Sequence, residues 1–189
     1  MSAILINLKP ISLTDDQFFD LCQSNQDLDL EFTATGELVV MSPVGGESGR
    51  LEMRLGALVY NWNESSELGY VFSSSTIFKL PDGSKRSPDV AWVEASRWNS
   101  LTAEERRKFP PIAPDSVIEL RSPSDELKPL QNKMVEYLKN GVRLGFLINP
   151  KNQMAEIYRS DQAVEVRSLP TTLSGGEVMP GFELAIDLF

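Results

Sequence analysis

The sequence contains no histidine, and its single cysteine is Cys22. These absences exclude Ser-His-Asp and Cys-His hydrolases, zinc sites built from histidine or cysteine, haem with a histidine ligand, and intrachain disulfide bonds. A metal ion would have to be held by oxygen atoms, which favours Mg²⁺, Mn²⁺ or Ca²⁺. Any catalysis must therefore depend on carboxylates, lysine, tyrosine, serine or metal-bound water.

Long apolar runs are also missing from the chain. No segment reaches the roughly 18 consecutive apolar residues that a membrane span needs. The apolar start, MSAILINLKP, has neither a basic region nor a cleavage pattern, so no signal peptide is expected. We therefore expect a cytoplasmic protein without a membrane partner.

Positive charge is scarce, with 18 Lys and Arg against 27 Asp and Glu and a net charge of −9. This balance argues against a protein that coats nucleic acid indiscriminately. Between Lys79 and Lys133, however, ten basic residues slightly outnumber nine acidic ones. A phosphate-facing surface could lie in this stretch, although charge varies along any chain.

The 189 residues show no repeat and no long linker, which predicts a single α/β domain. Residues 1–43 are expected to form a helix after Ser12 and Thr14 and a hairpin around Thr35-Gly36. Residues 44–150 are expected to form the core, and residues 151–189 further strands. The core pattern is an amphipathic helix at 47–64, strands at 70–73, 76–80 and 87–93, a short helix at 97–108, a strand at 115–121, a helix at 124–140 and a strand at 143–149.

Two acidic residues fall on consecutive core strands of this pattern. Asp89 follows Pro88, and Glu119 precedes Arg121 by two residues. Because side chains alternate along a strand, neighbouring strands can present both acids on one face, with Arg121 beside them. Two close carboxylates repel each other, and a divalent metal ion neutralises them while it provides a Lewis acid and a bound water of lowered pKa.

Longer strings around these acids resemble a known superfamily. Pro88-Asp89 with Glu119-Leu120-Arg121 is similar to the PD-(D/E)xK nuclease pattern. The strings SSTIFKLPDGSKRSPDVAWV, VIELRSPSD, KMVEYLKNGVRLGFLINP and MPGFEL resemble a bacterial family named for restriction endonucleases, formerly a domain of unknown function. The resemblance covers residues 38–184.

The resemblance implies a restriction-endonuclease-like core of helix, three strands, helix and strand, the order found independently from the pattern. It also implies Mg²⁺-dependent hydrolysis of phosphodiester bonds, with Mn²⁺ as a substitute and with Asp89 and Glu119 as metal ligands. The backbone carbonyl of Leu120 is a further candidate ligand, because hard cations accept carbonyl oxygen.

The sequence departs from the superfamily pattern at Arg121, where the pattern has lysine. A guanidinium stays protonated, so Arg121 can steady a phosphate but cannot accept a proton from water. Lys133 is the candidate replacement, because it lies at the edge of the apolar stripe of its helix beside Leu130 and Tyr137. It would orient or deprotonate the attacking water, and an ordinary surface lysine is the alternative.

The superfamily often adds an acid from its first core helix, and Glu47 is the candidate here, ahead of Glu52. Glu47 could instead only favour the helix dipole. The sequence thus predicts a Mg²⁺-dependent DNA endonuclease, with DNA as its partner and a homodimer left open. The alternatives are an inactive nuclease-fold module that binds nucleic acid or protein, and a hydrolase of another phosphate ester.

Overall fold

The computed structural model describes residues 3–9, 11 and 13–187 of the chain. The helices are α1 (Asp15–Ser24), α2 (Gly46–Ser66), α3 (Ala95–Asn99), α4 (Ala103–Arg107) and α5 (Leu127–Lys139). The strands are β1 (Ile4–Asn7), β2 (Asp29–Phe32), β3 (Glu37–Met41), β4 (Gly69–Ser73), β5 (Phe78–Lys79), β6 (Lys85–Arg86), β7 (Val90–Glu94), β8 (Ser116–Leu120), β9 (Leu144–Asn149), β10 (Met154–Arg159), β11 (Glu165–Ser168), β12 (Thr171–Ser174) and β13 (Glu183–Ile186).

A six-stranded sheet in the order β11-β10-β9-β8-β7-β4 forms the centre of the fold. Strands β8 and β9 are parallel and α5 connects them, while the other neighbouring pairs are antiparallel. Along the chain α2 is followed by β4, β7, β8, α5 and β9 as the elements of this core. The predicted order of helix, three strands, helix and strand is confirmed.

The two faces of the central sheet are covered by different elements. One face carries Ile118 and Leu120 and packs against α2 and the β12-β13 hairpin. The opposite face carries Val117 and packs against α5 through Met134 and Tyr137. Because residues of β8 alternate between these faces, Glu119 must point to the α5 side, into the protein interior.

A second sheet, in the order β1-β3-β2-β6-β5, packs against α1 through Phe18, Leu30 and Leu38. The helix α1 begins at a capping box in which the Thr14 hydroxyl accepts from the backbone N–H of Gln17 and the Gln17 side chain accepts from that of Thr14. The start predicted at Thr14 is therefore confirmed. Ser12 lies outside the described residues.

The structure differs from the predicted elements in three places. The single helix expected at 97–108 is divided into α3 and α4, because Thr102 forms a capping box with Glu105 and begins a new helix. The strand expected from Ser87 begins at Val90, since Pro88 has no N–H to donate to a neighbouring strand. Strands β1 and β6 were not predicted, because β1 begins as a continuous apolar run without alternation and β6 has only two residues.

Gly69 lies at a close approach of β4 to β7. A Cβ atom at this position would overlap with the carbonyl oxygen of Val93 and lie 2.6 Å from the Trp92 indole. We expect Gly69→Ala to lower the free energy of unfolding by about 1–3 kcal/mol through this overlap. Gly56→Ala, whose Cβ would meet only Val90 at 3.8 Å, should stabilise α2 by up to about 1 kcal/mol. Urea denaturation measures both, and equal midpoints for the two variants would contradict this packing.

No helix within residues 3–9, 11 and 13–187 combines the length and apolar character needed to cross a lipid bilayer.

Candidate active site

Asp89 and Glu119 lie side by side where β7 and β8 meet. Val90 pairs with Ile118 in the antiparallel register, so one step further Asp89 is opposite Glu119. Residues opposite each other on neighbouring strands share a face, with Cβ atoms roughly 4.5–5.5 Å apart. The Oδ2 atom of Asp89 also accepts a hydrogen bond of 2.6 Å from the backbone N–H of Leu120, which fixes Asp89 against the end of β8.

Lys133 of α5 reaches this pair of acids. Its Nζ atom lies 2.8 Å from Oε1 of Glu119 and 2.9 Å from Oε1 of Glu31 on β2. It also donates to the carbonyl oxygen of Ser87 at 3.3 Å. All three N–H groups of the ammonium are therefore in use, and only 12% of the side chain is exposed. The structure thus brings Lys133 together with Glu119, as the helical pattern predicted.

Arg86 extends the ion-pair network of Lys133, because both cations contact Glu31. Arg86 on β6 donates to Oε2 of Glu31 at 2.9 Å and makes two bonds of 2.7 Å to Glu136 of α5. The Tyr137 hydroxyl donates to Oε1 of Glu119 at 2.9 Å. We call Glu31, Arg86, Asp89, Glu119, Lys133, Glu136 and Tyr137 the buried charge cluster.

The buried charge cluster has more negative than positive charge. Its four carboxyl groups face only two cations, Arg86 and Lys133, which leaves an excess of two negative charges when all are ionised. Burial together with Glu119 raises the pKa of Asp89 well above its usual value. Burial also raises the pKa of Glu119, although Lys133 and Tyr137 oppose it. A divalent cation beside these two acids would balance the charge.

The opposite charges of Lys133 and Glu31 shift their pKa values in opposite directions. Burial disfavours the ammonium of Lys133, but Glu119 and Glu31 outweigh burial and raise its pKa above the usual value. Burial likewise disfavours the ionised form of Glu31, but Lys133 and Arg86 outweigh it and lower the pKa of Glu31. Lys133 is therefore a protonated charge partner in this structure, and a protonated amine cannot accept a proton from water.

The donor set fits a hard cation. Asp89 and Glu119 each use one oxygen within the protein, and no hydrogen-bond donor among the described residues contacts Asp89 Oδ1 or Glu119 Oε2. Within that part of the chain, no group of three or more acidic, cysteine or histidine side chains is placed to share an ion. Mg²⁺ is commonly held by one or two carboxylates together with waters and substrate phosphate, so two carboxylates fit this ion.

Arg121 does not occupy the position that the sequence suggested. Its Nε and Nη2 atoms donate to the carbonyl oxygen of Asp125, and its Nη1 atom donates to the side chains of Asn149 and Asn152. β8 ends at Leu120, and although the Arg121 N–H still donates to the Ile148 carbonyl at 2.8 Å, the Arg121 side chain contacts the following loop and not Glu119. The guanidinium holds the loop after β8 against the end of β9, and its contact with phosphate stays a prediction.

Glu47 also lies away from the acids. Its side chain is 83% exposed and pairs with Arg50 one turn further along α2. Glu52 is the acid of α2 whose charge raises the pKa of Asp89. These observations favour Glu52 over Glu47 as the additional acid, and the metal-binding role of either residue stays a prediction. Glu52 follows the buried Ser48 by four residues and precedes the buried Leu55 by three, so it lies beside the inner face of α2.

Four members of the buried charge cluster were not recognised in the sequence as site residues: Glu31, Arg86, Glu136 and Tyr137. Glu31 precedes Phe32 on a strand that reads as half exposed, and Arg86 belongs to a strand of two residues. Tyr137 was assigned only to the buried stripe of its helix. Its spacing of four residues from Lys133 was the available signal, because such residues share a helix face. No comparable signal marks Glu31, which comes from the other sheet.

The fold is that of a restriction-endonuclease-like protein. A family model, Uma2, described as "Putative restriction endonuclease", matches residues 15–187. The chain belongs to this family. It is also similar in structure to a protein from Anabaena variabilis ATCC 29413, described as "a putative nuclease belonging to DUF820", with a TM-score of 0.79 and 23% sequence identity over 94% of this chain and 98% of that one. At this identity the similarity shows the fold alone. No curated protein matches the chain.

Proposed function

We propose that this protein is a metal-dependent endonuclease that hydrolyses phosphodiester bonds of DNA. The observation that carries the proposal is the pair Asp89 and Glu119 beside the Lys133 ammonium, with one oxygen of each acid not engaged by the described residues. Membership of the Uma2 family supports a nuclease-type reaction. The description of the Anabaena variabilis protein as a nuclease agrees with it.

Asp89 Oδ1, Glu119 Oε2 and the carbonyl oxygen of Leu120 are the atoms that would hold Mg²⁺, with Mn²⁺ as a substitute. If the register of β7 and β8 continues, Leu120 faces Pro88, which has no N–H to donate to that carbonyl. A bound Mg²⁺ ion would offset charge on the phosphate oxygens and lower the pKa of water. Waters and the phosphate itself would complete its coordination.

Lys133 would orient the attacking water and add positive charge beside the phosphate. Its hydrogen bond to the Ser87 carbonyl, at 3.3 Å, is the longest of its three. That N–H is therefore the one most readily turned toward a water molecule. Because the pKa of Lys133 is raised, we propose the orienting role and not the proton-accepting one. No contact between Arg121 and phosphate is required in this proposal.

Glu52 of α2 would take the place expected of Glu47 as the additional acid. Its charge influences Asp89 across the end of the sheet. In this proposal Glu52 would contact the metal ion through water and not directly, since no three acidic side chains among the described residues are placed to share one ion.

An inactive nuclease-fold module that binds nucleic acid or protein is the second candidate. Two observations favour it: the net charge of −9, and the full engagement of all three Lys133 donors with protein atoms. Calorimetric titration with Mg²⁺ separates the two candidates. Binding that disappears in Asp89→Asn would count against the module.

The test of the proposed function is cleavage of supercoiled plasmid DNA. We expect nicked or linear product in Mg²⁺ or Mn²⁺ and none after the metal is removed with EDTA, because the two acids alone cannot offset the charge of the phosphate. Parallel incubations with single-stranded RNA and with a phosphate monoester separate DNA from other phosphate esters. Cleavage that continues in EDTA would contradict the metal-dependent reaction.

A further inference from the structure

Glu31 is a buried acid on β2 of the second sheet. It is 2% exposed, and both of its carboxylate oxygens are bonded. Oε1 accepts from the backbone N–H of Ser87 at 2.8 Å and lies 2.9 Å from Nζ of Lys133. Oε2 accepts from Nη1 of Arg86 at 2.9 Å. One carboxylate on β2 therefore contacts the segment that leads into Asp89 and the lysine of α5.

These contacts connect the parts of the proposed site that the chain brings from different elements. Ser87 stands two residues before Asp89, and both its N–H and its carbonyl are engaged, by Glu31 and Lys133 respectively. Lys133 in turn contacts Glu119 at 2.8 Å. Moving the carboxylate of Glu31 would therefore alter both the place of Lys133 and the approach of Asp89 to Glu119.

We propose that Glu31 is a positioning residue of the nuclease site, which acts through Lys133. The inference rests on the proposed function and goes beyond it, because Glu31 comes from outside the helix-strand core that carries the other site residues. The proposal depends on the Lys133 ammonium, which Glu31 and Glu119 share. While Lys133 is divided between Glu31 and Glu119, Glu119 keeps negative charge available for a cation. Without Glu31, Lys133 would neutralise Glu119 alone.

If Glu31 only stabilised the fold, one buried cation would be enough to balance its charge, but the structure provides two. Arg86 by itself supplies a buried cation for Glu31, and Arg86 is also held by Glu136 with two bonds of 2.7 Å. The contact to Lys133 adds a second cation. Its consequence is to fix Nζ between two carboxylates.

The test uses Glu31→Gln, Lys133→Met and the double variant, with the full chain in each case. Mn²⁺ affinity is measured by calorimetry, and kcat and KM are measured on plasmid DNA. We expect Glu31→Gln to weaken Mn²⁺ binding and to lower kcat, each by about tenfold or more, with KM within about twofold, since residues of one ion-pair network influence each other on this scale. In the Lys133→Met background, Glu31→Gln should change Mn²⁺ affinity by less than about twofold.

Two further variants test whether the position of the Glu31 carboxylate matters beyond its charge, and whether any buried acid would give the same effect. Glu31→Asp keeps the charge but is one methylene shorter, so it should show the same losses as Glu31→Gln, and it replaces that variant if Glu31→Gln does not fold. Glu156→Gln is the matched control. Glu156 is also a buried acid, 7% exposed, but its partners are the neutral Gln131 and Tyr158. We expect wild-type values from it.

The outcomes distinguish this inference from the function on which it rests. Wild-type Mn²⁺ affinity and kcat in both Glu31→Gln and Glu31→Asp would overturn the positioning role alone. Equal effects of Glu31→Gln in the wild-type and Lys133→Met backgrounds would also overturn it, because Glu31 would then act independently of Lys133. If the wild-type protein neither binds Mn²⁺ nor cleaves DNA, the proposed function fails and the inference fails with it.

Discussion

Asp89→Asn is expected to lower the rate of metal-dependent DNA cleavage by roughly 1000-fold. The loss of one of the two carboxylate ligands proposed for the metal removes several kcal/mol of transition-state stabilisation, and each 1.36 kcal/mol corresponds to a factor of about ten. Asparagine retains an oxygen that can accept the hydrogen bond from the Leu120 N–H. The variant should therefore fold normally. Initial rates of plasmid nicking measure the effect.

The stability of Asp89→Asn should move in the opposite direction from its activity. Asp89 and Glu119 repel each other in the protein interior, and burial adds to the cost of their charges. Removing one charge should leave the melting temperature equal to or higher than that of the wild type. Glu47→Gln, at an exposed position of α2, serves as the control and should retain full activity. Full cleavage by Asp89→Asn would remove this pair of acids as the active site.

Arg86→Met is expected to be the most destabilising of the substitutions considered. It leaves Glu31 and Glu136 without their shared cation, and a broken buried ion pair typically costs about 3–5 kcal/mol. For a chain of this length, that cost corresponds to a fall in melting temperature of roughly 6–20 °C. Differential scanning calorimetry measures the fall.

The matched control for Arg86→Met is Arg50→Met. Arg50 also pairs with a glutamate, but its side chain is 56% exposed and that of Glu47 is 83% exposed. Exposed pairs contribute less than about 1 kcal/mol, so the melting temperature should change by only a few degrees. Similar falls in both variants would show that the Arg86 network contributes no more than a surface pair.

The sequence was sufficient to predict the elements that hold the candidate site. Alternation along β7 and β8 predicted that Asp89 and Glu119 share a face. The last registered pair, Val90 with Ile118, brings the two acids next to each other just beyond it, and the Asp89 carboxylate accepts from the Leu120 N–H. The helical stripe of α5 placed Lys133 at its edge, and the side chain reaches Glu119. These predictions succeeded because period and register are local properties of a single element or of two neighbouring strands.

The remaining site residues depend on contacts that the local pattern does not contain. Glu31 alternates with Leu30 and Phe32 as an acid on an exposed face would, but the second sheet buries it against Arg86 and Lys133. Arg121 follows the end of β8, and its side chain contacts the following loop and not Glu119. The choice between Glu47 and Glu52 depended on which face of α2 packs against the sheet, and that face includes Ser48 as well as the apolar stripe. Each of these errors about site residues concerned how the elements pack against one another.

The origin of Glu31 in β2 limits how far this protein can be shortened. A fragment that begins at residue 44 would contain Asp89, Glu119 and Lys133, together with α2 and the whole central sheet. It would lack the carboxylate that Lys133 and Arg86 both contact in the intact chain. The amino-terminal hairpin is thus part of the candidate site, and we expect a fragment without it to lose the position of Lys133 between Glu31 and Glu119.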